Sequence, residues 1–126
     1  MSLPANFSDN KDSSGGSFFS ISLASAQEGF AIGTPSPSGK QINLYHLHQG
    51  QWQADQLPFP PDLAQDLANG PKLVKPNDIT MVSPDEAWAF LGEIIPPTDQ
   101  NNTVNPGYET TLIYHYVNGT WSVFER

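Results

Sequence analysis

The chain has 126 residues, a length that fits one ordinary domain and allows a substantial buried core. Its 13 Asp and Glu against 5 Lys and Arg give a formal net charge of −8, without a basic cluster to follow a phosphate backbone, so we exclude nucleic acid as an expected partner. The absence of cysteine excludes disulfide frameworks and thiol chemistry, and no apolar run reaches the ~18 to 20 residues that span a bilayer.

The first residues form a polar lead-in. Residues 1–16 contain too little apolar surface to offset the entropy lost on ordering, so we expect this segment to be flexible. The segment has neither the basic region nor the apolar stretch of a signal peptide. The compartment is therefore unknown, and an extracytoplasmic location is our expectation if the chain is a domain excised from a longer parent.

The rest of the chain contains an internal duplication. Residues 21–31, ISLASAQEGFA, return as residues 79–89, ITMVSPDEAWA, with Ile, Ser, Glu and Ala at matching places. A Tyr-His-x-x-x-Gly-x-Trp pattern follows in each copy, at residues 45–52 and again at residues 114–121. A pattern repeated in the same order predicts a structural unit that is also repeated.

Each copy predicts four strands, because short runs of Ile, Phe, Leu and Val are separated by Gly, Pro, Ser and Asn. The expected strands are about 18–24, 28–33, 41–48 and 51–55 in the first copy and about 78–82, 86–92, 109–117 and 120–125 in the second. Asn118-Gly119 signals a tight hairpin because both residues tolerate positive φ, and Gln49-Gly50 takes the same place in the first copy. The sequence predicts an all-β domain over residues 17–126, built from two four-stranded antiparallel meander sheets.

A connector separates the two copies. The repeats cover about 17–57 and 76–126, and the connector about 58–75. We predict one short helix there, because Pro61 suits a first helical turn, Leu63 and Leu67 fall on one face, and Gly70 with the following proline ends it.

Alternation along the second strand of each copy predicts two unlike sheet faces. Phe30 and Ile32 point to one side and form a bulky face, whereas Gly29 and Ala31 point to the other and leave it nearly bare. Residues 86–90 repeat the contrast. We therefore expect both faces of each sheet to need a neighbour.

The repeated motifs resemble those of a known family. Ser-x-x-Glu-(Gly/Ala)-(Phe/Trp)-Ala, followed by an aliphatic-Tyr-His strand and Gly-x-Trp, is similar to the repeat of β-propellers related to photosystem II assembly factors and to Asp-box propellers. The resemblance covers residues 20–54 and 78–125. The chain departs from the Asp-box at Asn118, and Arg126 is its only arginine, whereas sialidases hold a carboxylate with several. The resemblance implies propeller blades and transfers no active site.

This resemblance leads to an expectation about assembly. Propellers close with about four to eight four-stranded blades, and this chain supplies two. We expect either self-association, for which a trimer that provides about six blades is one closed solution, or further blades in a longer parent.

Histidines and tryptophans recur at equivalent places in the two copies. We predict a shared packing role for His46 and His115, and core positions for Trp52 and Trp121. His48 has no counterpart, and residues two apart on a strand share a face, so a two-His metal site with His46 is geometrically possible. The sequence indicates no third ligand, and we predict no metal, no cofactor and no catalytic residue.

The least repetitive stretch is a long loop at residues 93–107. Loops longer than about 12 residues inside compact domains are usually functional or disordered. Asp99, Asn101 and Asn105 imitate the oxygen spacing of a Ca²⁺ loop, but the required Gly and bidentate Glu are missing, so we predict mobility without a tightly bound ion. The predicted ligand-binding residues are His48, Asp99, Asn101, Asn105 and Tyr108.

The favoured functional hypothesis is a non-enzymatic recognition or sensor module of propeller-like type, which presents the long loop and exposed aromatic residues to a protein or glycan ligand. One alternative is a fragment of a glycoside hydrolase-like propeller enzyme, whose chemistry would depend on Glu28, Glu86 and His48. Another alternative is a purely structural assembly domain.

Overall fold

A computed structural model describes residues 17–34, 39–96 and 107–126 of the chain. The predicted flexible lead-in, residues 1–16, and most of the predicted mobile loop lie outside the described residues. The elements are β1 (Ser17–Ser25), β2 (Glu28–Thr34), β3 (Asn43–His48), β4 (Gln51–Asp55), α1 (Pro61–Asn69), β5 (Leu73–Ser83), β6 (Glu86–Ile95), β7 (Tyr108–Val117) and β8 (Thr120–Glu125).

The strands form two sheets. Strands β1 to β4 make the first four-stranded sheet and β5 to β8 the second, each in sequence order and antiparallel throughout. The predicted all-β class with two meander sheets and one short connecting helix is confirmed.

Strand β5 starts earlier than predicted. We placed its start near residue 78, whereas pairing with β6 begins at Leu73 and passes through Pro76. The register shifts between Pro76 and Asp78, and β5 lies at the edge of its sheet. A bulge on an edge strand tolerates a proline, because the missing N–H is not needed by a neighbouring strand. Pro76 therefore lies within β5 and does not end the strand.

The two sheets pack with unlike faces together. Phe30, Ile32 and Leu44 from the bulky face of the first sheet share a buried cluster with Ala87 and Ala89 from the small-residue face of the second. We call these two surfaces the inner faces. The other buried members of this cluster are Leu57, Leu63, Leu67, Val74, Ile79, Leu91, Leu112, Tyr114, Tyr116 and Trp121.

The first strands of the two sheets lie beside one another. The backbone N–H of Met81 donates a hydrogen bond to Ser22 Oγ at 2.8 Å, and Ser20 Oγ donates to Asp78 Oδ1 at 3.3 Å. These bonds join β1 to β5, so each sheet presents its first strand to the other.

The connector contains the short helix that its sequence predicted, and the helix joins the buried cluster between the two sheets. It begins at Pro61, and Leu63 and Leu67 are its buried residues. The hydroxyl of buried Tyr114 donates a hydrogen bond to the Pro58 carbonyl at 3.0 Å, which fixes the chain just before the helix. Burial raises the pKa of Tyr114 far above its ordinary value, so the phenol keeps the proton it donates.

The final hairpin of each sheet depends on a glycine with positive φ. Gly119 has a φ of 93° and Gly50 a φ of 79°, and an added Cβ at Gly119 would meet no atom within 4 Å. We expect Gly119→Ala and Gly50→Ala each to lower the free energy of unfolding by about 1 to 2 kcal/mol, because only the left-handed backbone opposes the methyl group. Urea denaturation measures both effects. A stability equal to or above that of the parent would contradict this expectation, since a Gly→Ala change is stabilising wherever the backbone is compatible.

Candidate metal centre

The first sheet brings Glu28, His46 and His48 together on its inner face. Phe30 pairs with His46 and Gly29 with Leu47 across β2 and β3, so the start of β2 lies beside the end of β3. Because side chains alternate, Glu28 projects to the same side as both histidines. The hairpin thus collects one carboxylate and two imidazoles at one end of the sheet.

The ligand atoms of these three residues lie close to one another. Nδ1 of His48 is 3.0 Å from the Glu28 carboxylate, and Nε2 of His46 is 3.9 Å from Glu28 Oε2. The backbone N–H of Gln49 donates to Glu28 Oε1 at 3.3 Å. All three possible ligand atoms are within 4.8 Å of one another, and the structure contains no other such group of His, Cys, Asp and Glu among its described residues.

Aromatic neighbours hold the His46 ring in place. It stacks on Phe30 with a centroid distance of 4.3 Å and an interplanar angle of 11°, and it meets Tyr116 of the second sheet edge to face with a centroid distance of 5.8 Å. The side chains of His46 and Glu28 are 17% and 18% exposed, whereas that of His48 is 50% exposed. The cluster therefore opens to solvent on the His48 side.

The surroundings shift the pKa values of two members of the cluster. Partial burial tends to raise the pKa of Glu28, but hydrogen bonds from His48 and the Gln49 N–H, with the charges of the imidazoles, lower it below its ordinary value. Burial also lowers the pKa of His46, against the attraction of Asp55 and Glu28. The ionised form of Glu28 and the neutral form of His46 are thus favoured relative to the free side chains.

The inner ring nitrogen of His46 has no hydrogen-bond partner. His46 Nε2, Trp52 Nε1 and Trp121 Nε1 are the buried side-chain nitrogen and oxygen atoms left without a partner in the described part of the chain. Buried polar atoms are nearly always paired, so such an atom calls for an explanation. Nε2 of His46 differs from the two indole nitrogens because it can donate an electron pair to a metal.

The second copy shows which contacts persist when the third residue of the cluster is replaced. Nε2 of His115 approaches Glu86 Oε2 to 2.7 Å, and its ring stacks on Trp88 at 3.8 Å, as His46 stacks on Phe30. This parallel confirms the predicted common packing role of the repeated histidines. Val117 occupies the place of His48, so the second copy has a simple carboxylate–imidazole pair.

The predicted site residues have different outcomes. His48 belongs to the cluster, whereas Tyr108 is 61% exposed at the start of β7 in the second sheet. Asp99, Asn101 and Asn105 lie outside the described residues. Two of the three residues named in the hydrolase hypothesis, Glu28 and His48, are in contact. The third, Glu86, projects from the outer face of the second sheet and pairs with His115.

Sequence reasoning did not add Glu28 to the two-His metal site. Glu28 accepts a hydrogen bond from the backbone N–H of Gln49 and contacts His48, a residue with which the sequence grouped it only in the hydrolase alternative. The available signal was that Glu28 and His48 each lie next to a tight turn, and a meander brings those turns together. Backbone N–H of Gly50 indeed donates to the Gln27 carbonyl at 3.2 Å.

The remaining face of each sheet, its outer face, carries apolar groups that are open to solvent. On the second sheet Trp88, Phe90 and Ile113 are half-buried and Phe124 is 59% exposed. On the first sheet Ile21 and Leu23 are 38% and 41% exposed and Trp52 is half-buried, while Ala31, Tyr45 and Leu47 are buried.

Comparison with known proteins places the chain in no family. A scan against protein-family models, a search of curated proteins and a search of solved structures each found no match. Across the described residues, the structure contains no helix with the length and apolar character required to cross a membrane. The class that the fold defines is an all-β pair of four-stranded meander sheets.

Proposed function

We propose that this chain is a non-enzymatic recognition and assembly module that binds a second copy of itself head to tail, with the outer face of its second sheet against the outer face of the partner's first sheet. The observation that carries this proposal is the equivalence, by the internal repeat, of these two outer faces with the two inner faces that already pack together.

The bulky outer face of the second sheet repeats the bulky inner face of the first. Phe30, Ile32 and Leu44 are 0%, 0% and 2% exposed against the second sheet. Their counterparts in the second copy are Trp88, Phe90 and Ile113, all half-buried. The difference in exposure between equivalent residues marks the surface that a further sheet would cover.

The outer face of the first sheet repeats the inner face of the second in the same way. Ile79 and Trp121 are 2% and 6% exposed in the core, whereas Ile21 is 38% exposed and Trp52 is half-buried. The residue types are identical at both positions. Exposed apolar surface that retains the residues of a packed interface supports a contact with a like sheet.

The geometry of such a contact is heterologous, because two different faces meet. A heterologous contact produces a ring when the rotation closes and an open series when it does not. A closed ring of blade-like sheets agrees with the propeller-like resemblance of the repeats.

Two single substitutions test the proposal. Phe124→Asp places a charge on the outer face of the second sheet, and Ile21→Asp places one on the outer face of the first. We expect each to weaken self-association by about tenfold or more, because an unpaired carboxylate would be buried. Sedimentation velocity across a concentration series measures the effect, and Gln65→Glu, on the exposed side of α1, is the charge control.

Mixing the two variants gives the sharper result. Each keeps the face that the other has lost, so an equimolar mixture should form a capped pair and nothing larger. A contact between identical faces would give no rescue on mixing. A parent chain that stays a monodisperse monomer at every concentration, melts cooperatively and binds no apolar dye would contradict the proposal.

A further inference from the structure

We infer that Glu28, His46 and His48 form a binding site for a divalent transition-metal ion, with Zn²⁺ as its representative, held by two imidazoles and one carboxylate with a fourth position open to solvent. This site lies on the inner face of the first sheet and does not depend on the proposed self-association.

The donor set matches a known type of coordination. Two histidines and one glutamate leave a fourth position to water or a small ligand. In a tetrahedral site with bonds of about 2.0 to 2.2 Å, the ligand atoms lie about 3.3 to 3.6 Å apart. The observed separations of 3.0 Å from His48 Nδ1 and 3.9 Å from His46 Nε2 to the carboxylate lie on either side of that range. All three possible ligand atoms, including the two imidazole nitrogens, lie within 4.8 Å of one another, so the side chains need to draw closer together to hold one ion.

The protein already holds the least exposed ligand in place. Stacking on Phe30 and the edge of Tyr116 fix the His46 ring, so little side-chain entropy remains to be lost on binding. Its buried Nε2 lacks a hydrogen-bond partner and faces the Glu28 carboxylate. A metal ion between them would satisfy this nitrogen. The half-exposed His48 leaves a route from solvent.

Comparison with the second copy indicates that His48 has more than a packing role. Glu86 and His115 preserve the pair formed by the carboxylate and the stacked imidazole, and Val117 shows that the fold tolerates an apolar residue at the third position. A second imidazole in the first copy alone completes a three-ligand set. The chain thus contains its own matched control.

Titration with Co²⁺ tests the inference directly on the full chain without a polyhistidine tag. We expect the visible absorption bands of a tetrahedral or five-coordinate Co²⁺ ion at one ion per chain, displaced by Zn²⁺, and a rise in melting temperature with Zn²⁺ concentration. His48→Val, which copies Val117, should reduce affinity by at least about 100-fold, more than the loss of an outer-shell partner. His115→Gln should leave affinity unchanged.

A gain of binding provides the second arm. Val117→His rebuilds the three-residue set in the second copy and should raise the stoichiometry to two ions per chain. Melting of each variant without metal shows that it is folded. Equal Co²⁺ affinity of the parent and His48→Val, or absent bands in a folded parent, would overturn the inference and leave the cluster as a hydrogen-bonded ion pair.

Discussion

Replacing Trp121 by alanine is expected to lower the free energy of unfolding by about 3 to 5 kcal/mol, the usual cost of removing a buried tryptophan. The Trp121 side chain is 6% exposed, and its ring centroid lies 5.1 Å from those of both Phe30 and Tyr116. Trp121 therefore packs between the inner faces of the two sheets, and alanine at this position would leave a cavity between them. Urea denaturation monitored by circular dichroism measures the loss.

The equivalent tryptophan provides a matched comparison. Trp52 is half-buried on the outer face of the first sheet, where it packs against Ala31 and Tyr45. Trp52→Ala should therefore cost only about 1 to 2 kcal/mol in the monomer, because less apolar surface returns to water. Equal losses in the two variants would show that the inner interface does not dominate stability. A stable Trp121→Ala chain would place that ring outside the core.

Replacing Glu93 by glutamine is expected to lower the free energy of unfolding at neutral pH by about 2 to 3 kcal/mol. Glu93 is 2% exposed and receives two hydrogen bonds from Arg126, each 2.9 Å long. Lys72 approaches the same carboxylate to 3.3 Å. Glutamine retains the volume but leaves both cations without their buried partner. The partial exposure of Arg126 and Lys72 lets them rehydrate, which keeps the loss below that of a fully enclosed pair.

The pH dependence of this loss has a definite sign. Hydrogen bonds from Arg126 and the charges of Arg126 and Lys72 lower the pKa of Glu93 below its ordinary value, although burial opposes them. A lowered pKa in the folded state adds stability above the pKa of the unfolded chain, about 4.3, and this contribution is lost as the pH falls through the folded pKa.

Denaturation at several pH values separates this effect from a general change in charge. The stability difference between the parent and Glu93→Gln should be full at neutral pH and should shrink as the pH falls below about 4. Glu125→Gln removes the same charge at an exposed position and should have little effect. A difference that does not vary with pH would show that the ion pairs do not hold Glu93.

Local signals in the sequence were enough to predict the eight strands, the hairpin turns and the helix, but not where β5 begins or β6 ends. Positive φ at Asn118 and Gly119 agrees with the predicted hairpin, and α1 begins at the predicted Pro61. These features depend on one to four neighbouring residues, whose backbone preferences act before any tertiary contact. The repeat likewise predicted that His46 and His115 share a packing role. In the structure both rings stack on the aromatic residue of the preceding strand.

The predicted long loop shows where local signals failed. We began it at residue 93, but β6 continues to Ile95 and Glu93 is buried inside it. A carboxylate in a strand is tolerated there because Lys72 and Arg126 reach it from the connector and from the last residue of the chain. Lys72 and Arg126 are both distant from Glu93 in the sequence, so no local pattern could predict these ion pairs.

Alternation by itself determined which residues share a face, and only the tertiary structure decided which faces meet. The sequence placed Phe30 and Ile32 together and Gly29 and Ala31 opposite, and that assignment follows from the period of a strand. The bulky face of one sheet packs on the small-residue face of the other because their side-chain volumes are complementary. That fit involves both sheets together and cannot be read from either strand pattern alone. The meeting of Glu28 with His48 also depends on the register between β2 and β3, which cross-strand packing selects.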